Sequence, residues 1–156
     1  MIRPAVPNDV PVILELIHEL AAFEREPDAV VASLADLEKA LFGSDAVAGC
    51  HLAELDGKVV GFALWYRTFS TWQGKPGLWL EDLFVRPEAR GHGLGRALLV
   101  ELARTAVTNG WTRFEWWVLD WNVEAQGFYR SLGAHPEDEW TVWRVDGDQL
   151  RDLGAP

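Results

Sequence analysis

The most informative turn in this chain reads Arg90-Gly91-His92-Gly93-Leu94-Gly95-Arg96. Its three glycines lie between the end of a predicted strand and the start of a predicted helix. Glycine lets the backbone bend into positive φ and lets an oxygen-rich group approach closely. The first N–H groups of a helix have no partner within the helix and favour an anion. Because two arginines add positive charge, a pyrophosphate fits this turn.

Two nucleotide-binding interpretations of the turn fit less well. A dinucleotide-binding turn has the spacing G-x-G-x-x-G directly after a buried strand, whereas this turn has G-x-G-x-G after the polar stretch 86–90. A nucleoside-triphosphate loop ends in Gly-Lys-Ser/Thr, and that ending is missing here. A third interpretation also stays open, in which the turn only connects a strand to a helix, since short glycine patterns are weak evidence of ligand binding.

Outward from the turn, strand and helix patterns alternate along the chain. A strand over 78–86 precedes the turn, and a helix over 93–109 follows it. Further on, the pattern predicts a strand (113–119), a helix (122–132), a strand (140–145) and a short terminal helix. Before the turn it predicts a strand (1–5), a helix capped by Asn8, a helix from Ser33 to Gly43, two strands (49–55 and 58–68) and a loop (69–77). This order predicts an α/β fold with a parallel crossover, in one domain over residues 1–156.

Charge, hydropathy and cysteine content exclude several classes of function and location. The formal net charge of −10 argues against nucleic-acid binding, which needs a basic face. No basic region with a following apolar run opens the chain, and no apolar stretch approaches 18 residues, so we expect no membrane segment. The single cysteine, Cys50, offers neither a disulfide nor a metal cluster and suits a reducing cytoplasm. We therefore predict a cytoplasmic protein without a bound metal.

Several stretches together resemble one family. Arg90-x-x-Gly93-x-Gly95 resembles the acetyl-coenzyme A signature of the Gcn5-related N-acetyltransferase (GNAT) superfamily. Leu80-Glu81-Asp82-Leu83-Phe84-Val85 and Asp120-Trp121-Asn122 with Phe128-Tyr129 stand in that family's order and spacing. From Ile2 to Trp140, the chain is similar to the diamine (spermidine/spermine) N-acetyltransferase branch. The resemblance implies a mixed central sheet with splayed central strands flanked by helices, and a homodimer.

The resemblance also implies where acetyl-coenzyme A binds. Main-chain groups bond the pantetheine arm at Leu83, Phe84 and Val85. The pyrophosphate is cradled by the turn itself, which contains Arg90, Gly91, His92, Gly93, Leu94, Gly95 and Arg96. The far arm of the cofactor contacts Asn122 and the residues just after it, and Tyr129 lies near its sulfur.

Two residues are candidates for proton transfer. Tyr129 is the candidate general acid, because a phenol with a pKa of about 10 can protonate a leaving thiolate whose thiol has a pKa of about 8.5. Glu81 is the candidate that accepts the amine's proton, directly or through water. Strand alternation predicts that Glu81 and Asp82 point to opposite faces of the sheet. The alternatives are a packing tyrosine and two solvated carboxylates.

The acceptor pocket is implied at Phe23, Glu24 and Trp72, together with Glu81 and Asp82. An aromatic face beside a carboxylate suits an alkylammonium chain. The polyamine branch carries an acidic residue shortly before the loop tryptophan, whereas this chain reads Phe69-Ser70-Thr71-Trp72. One fewer carboxylate favours amines with a single remote charge, such as thialysine, lysine-like or diamine acceptors.

Three functional hypotheses follow. The first is direct acetyl transfer from acetyl-coenzyme A to a small primary amine in a ternary complex. The second is transfer to a protein or peptide amine, which would need an open groove. The third is a non-catalytic acyl-coenzyme A sensor, against which the presence of Glu81 and Tyr129 argues. Covalent catalysis by Cys50 or His92 is disfavoured, because a strand cysteine is normally inert and His92 lies in the phosphate turn.

Overall fold

The computed structural model of the chain describes residues 1–155, which form two compact units, residues 1–117 and 118–155. The described strands and α-helices are β1 (Ile2–Pro4), α1 (Val10–Phe23), α2 (Leu34–Phe42), β2 (Gly49–Leu55), β3 (Lys58–Ser70), β4 (Lys75–Val85), α3 (Leu94–Thr108), β5 (Phe114–Trp116), α4 (Val123–Ser131) and α5 (Gly147–Leu153). A single domain over 1–156 stays a prediction, and Pro156 lies outside the described residues.

The first unit contains a mixed sheet in the order β1-β2-β3-β4-β5. The first four strands are antiparallel neighbours, and β5 runs parallel to β4 after the crossover through α3. The tight turn between β2 and β3 has positive φ at Asp56 (50°) and Gly57 (75°), as its Asp-Gly sequence predicts. The predicted α/β fold with a mixed sheet flanked by helices is confirmed.

Helices cover both faces of this sheet. On one face, residues of α1 and α2 form a buried apolar cluster with alternate residues of the strands. The cluster includes Ile13, Leu16 and Leu37 from the helices and Leu52, Phe62 and Phe84 from the strands. The other parity of the same strands is also buried, and its residues include Ala53, Ala63, Leu78 and Leu80. Because α3 contacts β1 to β4 and buries Leu98 and Leu102, this second face is the α3 face. The α1 face therefore carries Phe62 and Phe84, together with the residues that lie opposite each other at every second position of these strands.

The start of α1 differs from the prediction. The helix begins at Val10, one residue later than a cap at Asn8 would place it, and Asp9 precedes it. The Asp9 carboxylate accepts a hydrogen bond from the Val6 N–H (2.8 Å) and both terminal nitrogens of Arg3 (2.7 and 2.9 Å). The Arg3 guanidinium holds the pKa of this carboxyl below its usual value. A bidentate ion pair to β1 therefore fixes the helix start, which local capping rules do not capture.

Ion pairs also hold α1 against the end of β4. The Arg86 guanidinium follows β4 directly and pairs with Glu19 (2.7 Å) and with Glu15, both on α1. It also donates to the Val59 carbonyl (3.3 Å). These contacts join the middle of α1 to the end of β4. They set the position of the α1 C-terminus, where Phe23 and Glu24 lie, relative to β4.

Two predicted segments have other structures. The loop over 69–77 is shorter, because β3 and β4 extend into a hairpin with only residues 71–74 between them. The strand over 140–145 was predicted wrongly, since this segment has no regular structure. Its apolar residues are exposed, with Trp140 at 71% and Trp143 at 92%. High local β-propensity does not form a strand where no neighbouring strand supplies hydrogen bonds.

Within residues 1–155, no helix has the length and apolar character needed to cross a bilayer. In the same part of the chain, no three His, Cys, Asp or Glu side chains come together as a metal site would require.

Candidate active site

The glycine turn has the backbone that its sequence predicts. Gly91 (φ 80°) and Gly93 (φ 72°) adopt left-handed conformations, and α3 begins directly after Gly93. The Ala97 N–H makes the first bond of the helix, to the Gly93 carbonyl (2.9 Å), so the N–H groups of residues 94–96 precede the helical ladder. Nothing lies within 4 Å of a Cβ built on Gly91 or Gly93. The turn therefore presents open space and unpaired donors to an anion.

His92 braces this turn. Its Nδ1 lies 3.0 Å from the Arg90 carbonyl and 3.3 Å from the Ala89 carbonyl. Because carbonyl oxygens only accept hydrogen bonds, Nδ1 must carry the proton. His92 thus stabilises the bend through its side chain.

One edge of β4 is open at this end of the strand. Pairing with β5 ends at Leu80 and Trp116, whereas β4 continues to Val85. The Arg86 N–H bonds the Val60 carbonyl of β3, so the main-chain groups of Val85 and Leu83 point to the opposite, β5 side. Among the described pairings, that side carries no strand beyond Leu80. This is the splay that the resemblance implies between the central strands.

Arg90 connects the turn to two other predicted site residues. Its Nε donates to the Val85 carbonyl (3.1 Å) on the open edge. Its guanidinium carbon lies 5.0 Å from the ring centroid of Phe23, at the end of α1. The fold therefore brings together the turn, the open edge of β4 and the end of α1.

A β-bulge changes the direction of the two adjacent carboxylates. Leu64 lies opposite Asp82 and Trp65 opposite Leu80, so Glu81 has no residue opposite it on β3. The Trp79 indole Nε1 donates to the Glu81 carboxylate (3.1 Å), which places both side chains on one face. Asp82 shares the face of Leu64, the α1 face. The predicted alternation is therefore wrong here, and both carboxylates lie on the α1 face.

Asp82 is the more buried of the two carboxylates. Burial, followed by the negative charges of Glu81 and Glu24, raises its pKa to about 6. Glu24, directly after α1, is half-buried, and this burial raises its own pKa. The charges of Glu81 and Glu24 thus both act on Asp82 beside the open edge of β4.

Aromatic rings that the sequence analysis did not select border these carboxylates. Tyr66 lies opposite Trp79 across β3 and β4, with ring centroids 6.3 Å apart, and Trp117 meets Trp79 edge-on at 5.0 Å. Burial and the charge of Glu81 raise the pKa of Tyr66. Strand alternation places Trp79 on the face of Glu81, two residues further along β4, but only the folded chain shows that Trp117 meets Trp79.

Trp72 lies outside the strand segments that carry Tyr66, Trp79, Glu81 and Asp82. It lies in the turn of the β3–β4 hairpin and is 89% exposed. Ser70, where β3 ends, is four residues from Tyr66, which corresponds to about 13 Å along an extended strand. A role for Trp72 in acceptor binding stays a prediction.

Asn122 and Tyr129 belong to the second unit. Asn122 caps α4, and its Oδ1 accepts a hydrogen bond from the Ala125 N–H (3.1 Å). Tyr129 lies in the last turns of α4, half-buried, with its ring centroid 5.3 Å from that of Phe128. The predicted helix and its cap are confirmed, and the roles of both residues stay predictions.

Cys50 lies inside the α1-face core. Burial raises the pKa of its thiol to about 12, so the nucleophilic thiolate is absent at neutral pH. This supports the expectation that Cys50 is a packing residue.

Comparison with known proteins gives the family. The family model described as Acetyltransferase (GNAT) family matches residues 13–134, which contain the turn, the bulge and α4. The chain belongs to this acetyltransferase family. The family resemblance carried by the turn and by the stretches 80–85, 120–122 and 128–129 is thus confirmed, and with it the class of enzyme, an N-acetyltransferase.

Two relatives carry names that state a small amine as their substrate. A thialysine N-epsilon-acetyltransferase of Bos taurus is 37% identical, over 99% of this chain and 97% of the relative. An L-ornithine N5-acetyltransferase of Arabidopsis thaliana is 33% identical, over 97% of this chain and 86% of the relative. An integron cassette protein from the mobile metagenome of V. cholerae has a similar structure, with a TM-score of 0.84 at 28% identity over 100% of this chain and 98% of that chain.

Proposed function

We propose that this acetyltransferase moves the acetyl group of acetyl-coenzyme A to a primary amine of a small molecule, such as a polyamine, a diamine, thialysine or a lysine-like amine. The observation that carries the proposal is the bulge that turns Glu81 and Asp82 to one face beside the open edge of β4. Carboxylates there can hold an ammonium group and take its proton. The relatives named for thialysine and ornithine support a small acceptor.

The residues present fit acetyl-coenzyme A, which supplies acetyl as a thioester. N–H groups of Gly91–Arg96 would hold the pyrophosphate, because they precede the α3 ladder and face open space. Main-chain groups of Leu83 and Val85 would bond the pantetheine arm along the open edge of β4. The Val85 carbonyl that Arg90 now contacts is one of these groups. Asn122 would contact the far arm.

The carboxylate pair would remove the proton from the amine. A primary amine is mostly protonated at neutral pH and attacks only after losing that proton. Glu81 accepts it in the proposed mechanism, directly or through water. Asp82, with a pKa of about 6, is ionised at neutral pH and close enough to pH 7 to serve the same step. Tyr129 would donate the proton that the sulfur of coenzyme A needs when the amine displaces it from the acetyl carbon.

An acceptor screen tests this function. Purified protein is incubated with acetyl-coenzyme A and, separately, spermidine, putrescine, thialysine, lysine and peptides with free N-termini. Thiol release and product mass are recorded. We expect the highest kcat/KM among the small amines. Preference for peptides would support the protein-acetylating alternative, and cofactor binding without transfer to any amine would support the sensor.

Two further expectations belong to the same proposal. A homodimer is expected from the family resemblance, and light scattering after size exclusion would test it. A cytoplasmic location is expected from the single, buried Cys50, and imaging of a tagged chain would test it.

A further inference from the structure

Three aromatic rings on the α1 face of the sheet form a corner. Tyr66 and Trp79 lie nearly parallel (29°), whereas the indoles of Trp79 and Trp117 are nearly perpendicular (81°). Perpendicular indoles form two walls rather than a stack. Trp117 is 57% exposed, and the other two rings are half-buried, so the corner reaches solvent. Tyr66, Trp79 and Trp117 are called the aromatic corner below.

The corner is joined to the carboxylates by a hydrogen bond. Trp79 Nε1 donates to the Glu81 carboxylate at 3.1 Å, which fixes one carboxylate at the end of the corner. The charge of Glu81 also acts on the Tyr66 hydroxyl and on Asp82. Along β4, Trp79 lies two residues from Glu81, about 7 Å towards the hairpin. The aromatic surface therefore begins where the carboxylate pair ends.

We propose that the aromatic corner binds the part of the acceptor beyond its reacting amine, namely the carbon chain and a remote positive charge. This inference rests on the proposed function and names a specificity-determining surface for it. Aromatic faces attract ammonium groups, and methylene groups pack on them with little loss of polar contact. The reacting amine lies at Glu81 and Asp82, and the chain extends from there past Trp79 to Trp117.

The corner also explains how the chain can favour an amine with one remote charge. Phe69–Trp72 lacks the acidic residue of the polyamine branch, and Trp72 lies in the hairpin turn beyond the end of β3. An aromatic surface supplies attraction for a cation without another carboxylate. A monoamine of equal length would gain the packing but not the attraction between the charge and the rings.

The test compares 1,4-diaminobutane with n-butylamine, which differ only in the remote amine. The quantity measured is the ratio of their kcat/KM values in acetyl transfer. We expect the wild type to prefer the diamine. In Trp117→Leu that ratio falls about tenfold, because the ring that faces the charge is lost. Trp117→Phe keeps a ring and keeps most of the preference.

Trp143→Leu is the matched control, since it removes an exposed tryptophan that is not one of the three rings of the aromatic corner. It leaves the ratio unchanged, and all three variants keep the wild-type KM for acetyl-coenzyme A. A ratio within twofold of wild type in Trp117→Leu overturns the corner, and so does a parallel rise in the KM for acetyl-coenzyme A. A wild type that acetylates neither these amines nor the wider panel overturns the proposed function itself.

Discussion

At the scale of single residues, the fold raises the pKa of Asp82 towards the pH range in which an enzyme works. Its raised pKa means that the carboxylate forms only above about pH 6. If the carboxylate pair accepts the amine's proton, kcat/KM should rise with pH through about 6. Asp82→Asn should lose this acid limb. Glu81→Gln should move the limb to lower pH, because it removes a negative charge that raises the Asp82 pKa.

The contradicting outcome is an acid limb that stays near pH 6 in Asp82→Asn. That result would place the titrating group elsewhere. The measurement is the pH dependence of initial rates at low amine concentration, corrected for ionisation of the amine itself.

The same residue predicts a pH dependence of stability. Burial raises the Asp82 pKa above its ordinary value of 3.8, so ionised Asp82 destabilises the folded state above about pH 6. As pH falls from about 6 to about 4, the folded state takes up the proton first, and this destabilisation is lost. Asp82→Asn should therefore unfold at higher urea concentration than wild type at pH 7.

This advantage of Asp82→Asn should shrink as pH falls from 6 to 4. Urea unfolding at pH 7, 6, 5 and 4.5, followed by tryptophan fluorescence, measures it. Equal midpoints for both proteins at pH 7 would show that Asp82 is not destabilising when ionised.

Tyr129 is the proposed donor of the second proton, the one that the leaving sulfur needs. Tyr129→Phe keeps the ring that packs beside Phe128 and removes only the hydroxyl. We expect kcat to fall by about a hundredfold, because general acid catalysis commonly contributes that much. The KM for the acceptor should change much less. Steady-state kinetics measures both, and a kcat within twofold of wild type would exclude Tyr129 as the acid.

At the scale of secondary structure, α3 has a left-handed glycine at each end. Gly93 (φ 72°) precedes the helix, Gly110 (φ 69°) follows it, and both face open space. Alanine at either position should lower the free energy of unfolding by about 1 kcal/mol, since a Cβ strains positive φ. Only Gly93→Ala should also raise the KM for acetyl-coenzyme A, because only Gly93 belongs to the turn.

Gly110→Ala is thus a control for the loss of stability. Urea unfolding and acetyl-coenzyme A titration of both variants make the comparison. An equal rise in KM for both variants would mean that the turn acts through helix stability rather than through its donors.

Local signals predicted some elements well and others not at all. The Asp56-Gly57 turn and the Ser33–Asp36 cap of α2 were predicted correctly, because a few adjacent residues determine them. The bulge at Glu81 was not predictable, since it depends on how β4 pairs with β3. The prediction of a strand over 140–145 failed for a related reason, because a strand needs a neighbouring strand that the segment itself does not specify.

For the whole molecule, the family and the layered fold followed from the sequence, whereas part of the candidate site did not. The glycine turn could be predicted from residue type, because glycine favours positive φ and leaves the backbone N–H groups accessible. The acceptor side depends on ring-to-ring and charge-to-charge contacts between β3, β4 and α1. Trp79 belongs to the candidate site through its hydrogen bond to Glu81, and Trp117 through its ring contact with Trp79.

The central claim is that the main chain of the glycine turn holds the pyrophosphate and so places the thioester beside the carboxylate pair. A titration of ¹⁵N-labelled protein with coenzyme A, followed by amide chemical shifts, tests it most directly. The largest shifts should occur at the N–H groups of Gly91, Gly93, Leu94 and Gly95, with further shifts at Leu83 and Val85. Saturation without shifts in the turn, or with the largest shifts elsewhere, would contradict the claim.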